Sequence, residues 1–497
     1  EKSLDVTAEV EKYNSDEFST PPSEFRKGHV KPRKLDPKAF AKKGAGFSIT
    51  LPSGAPIPTP AIYKGKVYVS GGFHSKEFYC FHAKTGQLVW ALDLDDDGPS
   101  AAVCEDGVTV FNTESCTIFA VDSETGEQLW SHWLGDPLTS TPTISGGKVF
   151  TSYPANGGGG IQQGINNQGA NVQQGNPAAP VGKPLKPQAG KPTPPYTHVL
   201  AAFDLKSGKI LWQRWIDSDV MSAPIAVGKE LYATSFSGVI YKFDQTTGKI
   251  LSATKSRATS APVVVNGEVF LTQRGDSGHG PAKERHAKLQ AGNFADVGGF
   301  GGNERLAAYI DPKVQGESLL AKKGLQLDAG NGFAGGAPAA ANPTAANGNI
   351  GQMNVSTMQA FQGSRFANYQ GRNFNCPGDE ILCTNPVDGT KIWSVKIKGD
   401  LKKEGGFLAA PPVVAGGQLF VATLAGEVLQ LDPKTGKINA RFQAGGPIRS
   451  QPVVEGGRIF VGTQNGKVVC LNTQNSKYTG WPMWGKNAAH TAVQNSK

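Results

Sequence analysis

The chain lacks a long apolar run: no stretch of its 497 residues reaches the 18 or so consecutive apolar residues that a membrane-spanning helix needs. Charged residues make up only 18% of the chain, which has 6 Cys and 8 His. No two cysteines are adjacent, and four motifs are missing: Cys-x-x-Cys-His, His-Glu-x-x-His, the Gly-x-x-x-x-Gly-Lys-Ser/Thr phosphate loop and the Gly-x-Ser-x-Gly elbow. The chain therefore carries none of these sequence signatures of haem, zinc, nucleotide or serine-nucleophile chemistry.

Glycine and proline are abundant instead. The chain contains 63 Gly and 33 Pro, and 38% of its residues are hydrophobic. This composition favours short strands joined by many turns over long helices, with enough apolar side chains for a sizeable core. It predicts an all-β protein.

A repeated motif supports this prediction. The stretch FAVDSETGEQLW (119–130) returns with variations at a spacing of about 40 residues, apart from two insertions. Seven copies are found, at 78–90, 119–130, 200–212, 240–252, 381–393, 428–440 and, in degenerate form, 468–480. A second shared element, such as TPAIYKGKVYVSG (59–71), precedes most copies.

Each unit reads as four short antiparallel strands, which is the pattern of a propeller blade. We predict a single β-propeller at 46–484, with seven blades from the seven copies and eight as the alternative. Residues near 47–51 resemble the passage from one blade to the next, so we expect them to supply the outer strand of the last blade. An N-terminal arm (1–45) and a C-terminal tail (485–497) flank the propeller. The stretch 480–492 either packs over the closure seam or belongs to an eighth blade.

The repeated residues have a structural interpretation. Asp can accept hydrogen bonds from turn amides, Gly supplies a positive φ, and Trp can wedge between neighbouring blades. We assign these structural roles to Trp90, Trp130, Trp212, Trp393, Asp122, Asp204, Asp244, Asp432, Gly86, Gly126, Gly208, Gly248 and Gly436.

The copies IFAVDSETGEQLW and VLAAFDLKSGKILW resemble the repeat of the pyrroloquinoline-quinone-like (PQQ-like) β-propellers. That superfamily includes quinoprotein dehydrogenases, which are enzymes, and scaffold propellers similar to the outer-membrane assembly factor BamB, which are not. The dehydrogenases typically carry adjacent cysteines, a Ca²⁺ site and a catalytic Asp, and this chain has no adjacent cysteines. The resemblance thus favours the scaffold branch, with neither catalytic residues nor PQQ.

One acidic run is a candidate metal site. Asp93, Asp95 and Asp97 precede Gly98 with the alternate spacing of Ca²⁺-binding loops, but the twelfth position, where such a loop needs Glu, is Cys104. The alternatives are a Ca²⁺ site and a solvated turn between blades. Short spacings also leave Cys104–Cys116 and Cys376–Cys383 open as disulfides.

Charge and composition point to possible partners. Residues 1–25 carry a net charge of −5 and residues 26–44 a net charge of +7, so the arm is bipolar. The alternatives for the arm are a solvated linker and a contact with a protein or an anionic envelope surface. Nucleic acid is not expected, because no recognition module accompanies the basic run.

Two insertions interrupt the repeats at 154–197 and 275–376, and we place both between the second and third strands of a blade, on one face. Long loops on a rigid scaffold commonly carry function, although disorder is the alternative. Within the second insertion, 282–290 reads as a short helix. The insertions and the arm are the expected binding sites for other proteins or for copies of the chain.

Function follows from these expectations. We predict a non-enzymatic scaffold in the cell envelope (periplasm) or outside the cell, and the start at Glu1 suggests a processed N-terminus. The alternatives are a diverged quinoprotein-type oxidoreductase and a propeller that binds envelope polysaccharide.

Overall fold

The computed structural model is built almost wholly of short antiparallel strands. It describes residues 4–17, 30–72, 75–113, 117–134, 141–154, 196, 198–220, 222–235, 237–274, 283–294, 305–306, 366–400 and 408–494. Within these ranges the strands form eight sheets, four of four strands and four of five, and each contains a four-stranded antiparallel unit. First strands of most neighbouring sheets contact one another, so the sheets are blades around a central axis. The predicted all-β propeller is confirmed, with eight blades.

We number the blades in chain order and their strands from the axis outward. Blade 1 comprises Ala61–Tyr63, Lys66–Ser70, Glu77–His82 and Leu88–Leu94; blade 2 Val103–Glu105, Val108–Asn112, Thr117–Asp122 and Gln128–Trp133; blade 3 Thr143–Ser145, Lys148–Pro154, His198–Asp204 and Ile210–Ile216; blade 4 Ile225–Val227, Glu230–Thr234, Val239–Asp244 and Ile250–Lys255; blade 5 Val263–Val265, Glu268–Arg274, Lys283–Gln290 and Arg305–Leu306; blade 6 Ala367–Tyr369, Arg372–Asn375, Glu380–Thr384 and Lys391–Lys396; blade 7 Val413–Ala415, Gln418–Ala422, Glu427–Leu431 and Ile438–Gln443; blade 8 Val453–Glu455, Arg458–Gly462, Lys467–Asn472 and Gly46–Thr50.

Blade 5 accounts for the difference between seven sequence copies and eight blades. Its third strand, Lys283–Gln290, pairs with Glu268–Arg274 and lies in a stretch that the sequence suggested was helical, so that helix prediction was wrong. Three consecutive residues of the strand, Ala287, Lys288 and Leu289, are buried, and Ala287 and Leu289 belong to a hydrophobic core cluster. The turn after it reads Gln-Ala-Gly-Asn-Phe, which lacks both the Asp and the Thr-Gly that identify the other copies.

The boundaries of the second insertion change accordingly. Strands of blade 5 and blade 6 lie inside 275–376, and the long connection runs from Leu306 to Phe366, between these two blades. The first insertion does join the second and third strands of blade 3. Because strands alternate in direction, connections between blades and connections between second and third strands emerge on the same face. We call it the insertion face and the opposite one the turn face.

The ring closes as the sequence predicted. Gly46–Thr50 pairs with Lys467–Asn472 and supplies the outer strand of blade 8. Phe47 and Ile49 on this strand are buried in a core shared with blade 1. The N-terminal and C-terminal parts of the propeller thus share one sheet, which removes the open edge that an unclosed ring would have.

The N-terminal arm wraps around the outside of the propeller. Leu4–Asp5 adds a fifth strand to blade 4, Val30–Pro32 to blade 1 and Phe40–Lys43 to blade 8. Between the first two, the helix Thr7–Glu17 buries Val10 against blades 3 and 4. In the described residues, no helix is long and apolar enough to span a membrane.

Neighbouring blades are joined by an aromatic ring that packs on a glycine. The ring comes from the start of one outer strand, and the glycine, at positive φ, ends the turn between the third and fourth strands of the next blade, which reads Asp-x-x-Thr-Gly or a close variant. The pairs are Trp90 with Gly126, Trp130 with Gly208, Trp212 with Gly248, Trp393 with Gly436 and Phe47 with Gly86. A Cβ added to Gly208 would lie only 2.6 Å from Cδ2 of Trp130, so no side chain fits there.

This packing predicts a difference between two glycines. Gly208 and Gly228 both have positive φ, 68° and 60°, but a Cβ on Gly228 would have no neighbour within 4 Å. Alanine at either position strains the backbone by about 1–2 kcal/mol. Gly208→Ala also forces Trp130 to move, so we expect it to lower the free energy of unfolding by about 1–3 kcal/mol more than Gly228→Ala. Urea denaturation measures both; equal losses would show that the ring contact contributes nothing.

Candidate functional site

The repeated Asp side chains serve their own turns. Oδ1 of Asp244 accepts hydrogen bonds from the amides of Thr246 and Thr247, at 3.0 and 2.8 Å, and from the Thr247 hydroxyl. The Thr247 amide and hydroxyl lower the pKa of the Asp244 carboxyl. Asp122, Asp204 and Asp432 make equivalent bonds. These carboxylates are on the turn face, in blades 2, 3, 4 and 7, and do not converge on a site.

The acidic run of blade 1 does not gather around one point either. Asp93 pairs with Arg33 of the N-terminal arm, and the Oδ1 of Asp97 lies 3.5 Å from the Lys76 Nζ. Within the ranges that the structure describes, no three His, Cys, Asp or Glu side chains are grouped as metal ligands. A Ca²⁺ site at Asp93, Asp95 and Asp97 stays a prediction.

The described cysteines are buried free thiols. Cys80 and Cys383 lie opposite Trp90 and Trp393 on neighbouring strands, where blades 2 and 3 have alanine. Neither Cys376–Cys383 nor Cys104–Cys116 forms a disulfide, since Cys104, Cys376 and Cys383 are all free. Burial raises the pKa of Cys104 to about 12, so its reactive thiolate form is suppressed.

The centre of the ring is occupied by residues 481–494, which we call the tail from here on and which include the end of the predicted propeller. The sequence did not predict this position. Residues 481–494 enter from the turn face, where the Thr479 carbonyl accepts the amide of Gly416 in the first hairpin turn of blade 7. The tail returns with Val493–Gln494, which pairs in parallel with the first strand of blade 6. It therefore lies against the innermost strands, whereas the closure seam is at the outer strand of blade 8.

Hydrogen bonds hold the tail to five blades. In each, the middle residue of the first strand donates its amide to a tail carbonyl. The pairs are Ile62 to Pro482 at 2.6 Å, Ile144 to Ala488 at 2.7 Å, Ala226 to Ala489 at 3.0 Å, Asn368 to Ala492 at 3.0 Å and Val454 to Trp481 at 2.8 Å. The tail thus satisfies amides that would otherwise face the central channel.

Large side chains of the tail fill the central channel, and we call this part of the structure the plug. Trp481, Met483, Trp484 and His490 are all buried. Oε1 of Gln451 accepts hydrogen bonds from the Trp481 indole at 3.2 Å and from the Gly485 amide at 2.9 Å. The only sequence signal was the density of large residues in GWPMWGKNAAH, which has no blade periodicity.

His490 links the plug to the ring. Its Nε2 lies 2.9 Å from the Pro142 carbonyl oxygen and its Nδ1 lies 3.0 Å from the Trp484 carbonyl oxygen, while its ring packs on the Trp484 indole. Burial lowers the pKa of His490 to about 4, although both carbonyls oppose this shift. The imidazole is therefore neutral in the folded protein at neutral pH.

This shift predicts a pH dependence of stability. The unfolded chain binds a proton at His490 below pH 6.5 and the folded chain only near pH 4, so stability falls as the pH falls through this window. We expect His490 to contribute a loss of about 2–3 kcal/mol between pH 7 and pH 4.5. Urea denaturation of wild type and His490→Gln at both pH values measures it. Taking the difference between the two proteins cancels the other buried histidines, His132 and His198, and parallel pH profiles would contradict the assignment.

Both insertions leave the ring on one face. The chain departs at Pro154 and returns at His198 beside blade 3, and departs at Leu306 and returns at Phe366 between blades 5 and 6. These points are at the insertion face, opposite the turns and the entry of the tail. The interiors of the insertions, where the sequence predicts protein contacts, lie outside the described residues.

Comparison with known proteins points to one family. Its model, described as "Outer membrane protein assembly factor BamB", matches residues 47–176, 74–279 and 378–485. The chain is 28% identical over 266 residues to the outer membrane protein assembly factor BamB of Burkholderia pseudomallei, covering 48% of this chain and 67% of that protein. It is 28% identical over 225 residues to a tetrathionate hydrolase of Acidithiobacillus ferrooxidans, covering 40% of this chain and 37% of that protein.

Solved structures agree on the fold. The quinohemoprotein alcohol dehydrogenase ADHIIG of Pseudomonas putida HK5 superimposes with a TM-score of 0.52 at 12% identity, over 86% of this chain and 75% of that one. At this identity the likeness is one of fold alone. The family model, in contrast, matches more than half of the chain, blade by blade. The chain therefore belongs to the family of the outer membrane protein assembly factor BamB.

Proposed function

We propose that the chain is a non-enzymatic scaffold of the cell envelope, which holds other proteins, or a second copy of itself, on its outer surfaces. The observation that carries this proposal is the plug. The central channel is where a propeller offers a ready cavity for a small ligand. Here the chain's own Trp481, Trp484 and His490 occupy it, bonded to the inner strands. The surfaces left for binding are the insertion face and the rim.

Family membership supports the same function. The relative from Burkholderia pseudomallei is named as an outer membrane protein assembly factor, and this name supports a role in contacting other proteins. Carried over to this chain, that name supports a location in the cell envelope, and the periplasm is the compartment we favour. The buried cysteines and the turn-bound Asp side chains offer no alternative chemistry, since each is occupied structurally.

A capture experiment tests the scaffold function. Tagged wild-type protein, cross-linked in its native cells, is compared with a variant in which residues 158–192 are replaced by a short Gly-Ser linker. We expect the wild type to capture defined envelope proteins and the variant to lose some of them at an unchanged melting temperature. A wild-type protein that captures nothing above background would contradict the proposal.

A quinoprotein-type oxidoreductase is the second candidate, favoured by the fold shared with the alcohol dehydrogenase. The residues present do not fit PQQ. The tail occupies the channel, no two of the six cysteines are adjacent, and the described ranges contain no group of three metal ligands.

Adding PQQ and Ca²⁺ separates the two candidates. We expect no change in melting temperature and no reduction of an artificial electron acceptor with alcohols. A saturable stabilisation, which mass action requires for any ligand that binds only the folded state, together with dye reduction would contradict the scaffold function. Hydrolysis of tetrathionate is measured in the same preparation, as the matching test for the second relative.

A further inference from the structure

We propose that the outer edge of blade 6 binds an extended acidic segment of a partner protein, which adds to the sheet as a fifth strand. The inference rests on the scaffold function and names one of its surfaces. Each blade of a closed ring still has an outer strand with unpaired amides and carbonyls, and this chain covers several of these edges itself.

The chain covers four such edges with its own N-terminal arm, and two of them show one register. In blade 1 the carbonyl of Ala91 accepts the amide of Arg33 at 2.8 Å, and in blade 4 the carbonyl of Ala253 accepts the amide of Val6 at 2.9 Å. Both alanines directly follow the position at which an aromatic wedge stands in most blades. A fifth strand is therefore a regular addition to this fold.

Blade 3 meets the same need with a side chain. The amide of Asn14, on the arm's helix, mimics a strand: its Oδ1 accepts the Trp215 amide at 2.8 Å, and its Nδ2 donates to the Trp215 carbonyl at 3.3 Å. Trp215 is three residues after the wedge, Trp212. The outward-facing positions of an outer strand are thus one and three residues after the wedge position.

In blade 6 these positions are Ser394 and Lys396, after the wedge Trp393. The next residue, Ile397, donates its amide inward to Asp379 at 2.7 Å, so the alternation directs the amides of Ser394 and Lys396 outward. Among the described residues no strand pairs with this edge. No residue of Lys391–Lys396 is buried, in contrast to the outer strands of blades 1, 3 and 4.

Trp393 is more exposed than three other wedges, although Trp130 shows that a wedge can be buried in a blade without a described fifth strand. The wedges Trp90, Trp130 and Trp212 are 8%, 5% and 6% exposed, whereas Trp393 is only partly buried. In blade 8 the fifth strand places Phe40 beside the wedge Phe47, with ring centroids 5.9 Å apart. An apolar side chain on the incoming segment would cover Trp393 in the same way.

Charge selects the kind of segment. The basic half of the arm lies on blade 1, where Asp93 is opposite Lys31 and pairs with Arg33. The acidic half lies on blade 4, where the equivalent residue is Lys255, opposite Leu4 and next to Asp5. On blades 1 and 4 the arm therefore lies on a residue of opposite sign, whereas blade 8, which the basic half also covers, has the uncharged Thr50 at this position.

Blade 6 has a lysine at this position. The Lys396 side chain is 67% exposed, and its present partners are Asp379 at 2.8 Å and Glu380 at 3.2 Å. Exposed ion pairs of this kind contribute little, so the lysine can exchange to a new carboxylate. A second copy of the same strand is a poor occupant, because antiparallel pairing would bring Lys391, Lys396 and Lys398 of both chains together. The edge favours an acidic segment with one central apolar residue.

The test uses two eight-residue peptides that alternate charged and leucine residues, one with glutamate and the other with lysine. Binding is followed by titration of tryptophan fluorescence and by hydrogen exchange of the full-length protein. We expect the glutamate peptide alone to bind saturably and to slow exchange in 391–397. Lys396→Glu should weaken it three- to fivefold and improve the lysine peptide.

Ser394→Pro removes an outward amide without breaking a bond inside the blade, so it should weaken binding roughly tenfold while leaving the melting temperature unchanged. Arg441→Pro, at the equivalent position of blade 7, is the matched control and should not change binding.

Three results would overturn the proposal. The glutamate peptide could bind both blade 6 variants as tightly as the wild type, or it could slow hydrogen exchange at the edge of another blade. Alternatively, exchange in 391–397 could slow without peptide as the protein concentration is raised, which would show that a second copy covers the edge. Repeating the capture from native cells with Lys396→Glu and Ser394→Pro separates this inference from the scaffold function. If both variants capture the same partners as the wild type, the blade 6 site is excluded and the scaffold function is still supported.

Discussion

The structure depends on one contact between neighbouring blades: an aromatic ring laid on a glycine at positive φ. The glycine serves two needs at once, because the turn requires a left-handed residue and the ring requires the space of a missing Cβ. The indole adds a hydrogen bond, from Trp130 Nε1 to the Leu205 carbonyl at 2.9 Å, three residues before Gly208. Four joints combine this packing with one directed indole bond, from Trp90, Trp130, Trp212 or Trp393, and the joint of Phe47 has the packing alone.

The joint between blades 4 and 5 reveals what this contact must supply. Ser252 replaces the wedge of blade 4, and Phe294 replaces the glycine of blade 5 with a positive φ of 54° and a buried ring. Lys242, opposite Ser252, donates from its Nζ to the Ala291 carbonyl at 2.8 Å, again three residues before the replaced glycine. The ring and the donor, which other joints combine in one indole, thus come from two residues, Phe294 and Lys242, and the hydrogen bond to the carbonyl is kept. What the fold requires is a filled joint and a satisfied carbonyl, rather than a particular motif.

This exchange also explains how far the sequence could predict the structure. Blades with the Asp, Gly and Trp pattern could be found by counting, and the closing strand near residue 47 by its likeness to other passages. Blade 5 could not be found by counting. The aromatic ring of its joint comes from Phe294 and the hydrogen-bond donor from blade 4, so neither is at the repeat position where the motif has it. The tail and the arm escaped for another reason: their contacts join segments far apart in the chain, such as His490 with Pro142 and Asn14 with Trp215, and no periodicity encodes them.

Closing a ring removes the edges between its first and last blades but leaves one edge on every outer strand. The bipolar arm, which looked like a device for binding partners, is used on the chain's own edges, and its two halves are sorted by Lys255 and Asp93. The plug does for the inner strands what the arm does for the outer ones. The described residues of the arm and the tail pair with the chain's own backbone, so the binding surface we propose is an edge that they leave uncovered. This edge is the outer strand of blade 6, where Trp393 is only partly buried and the Lys396 side chain is exposed.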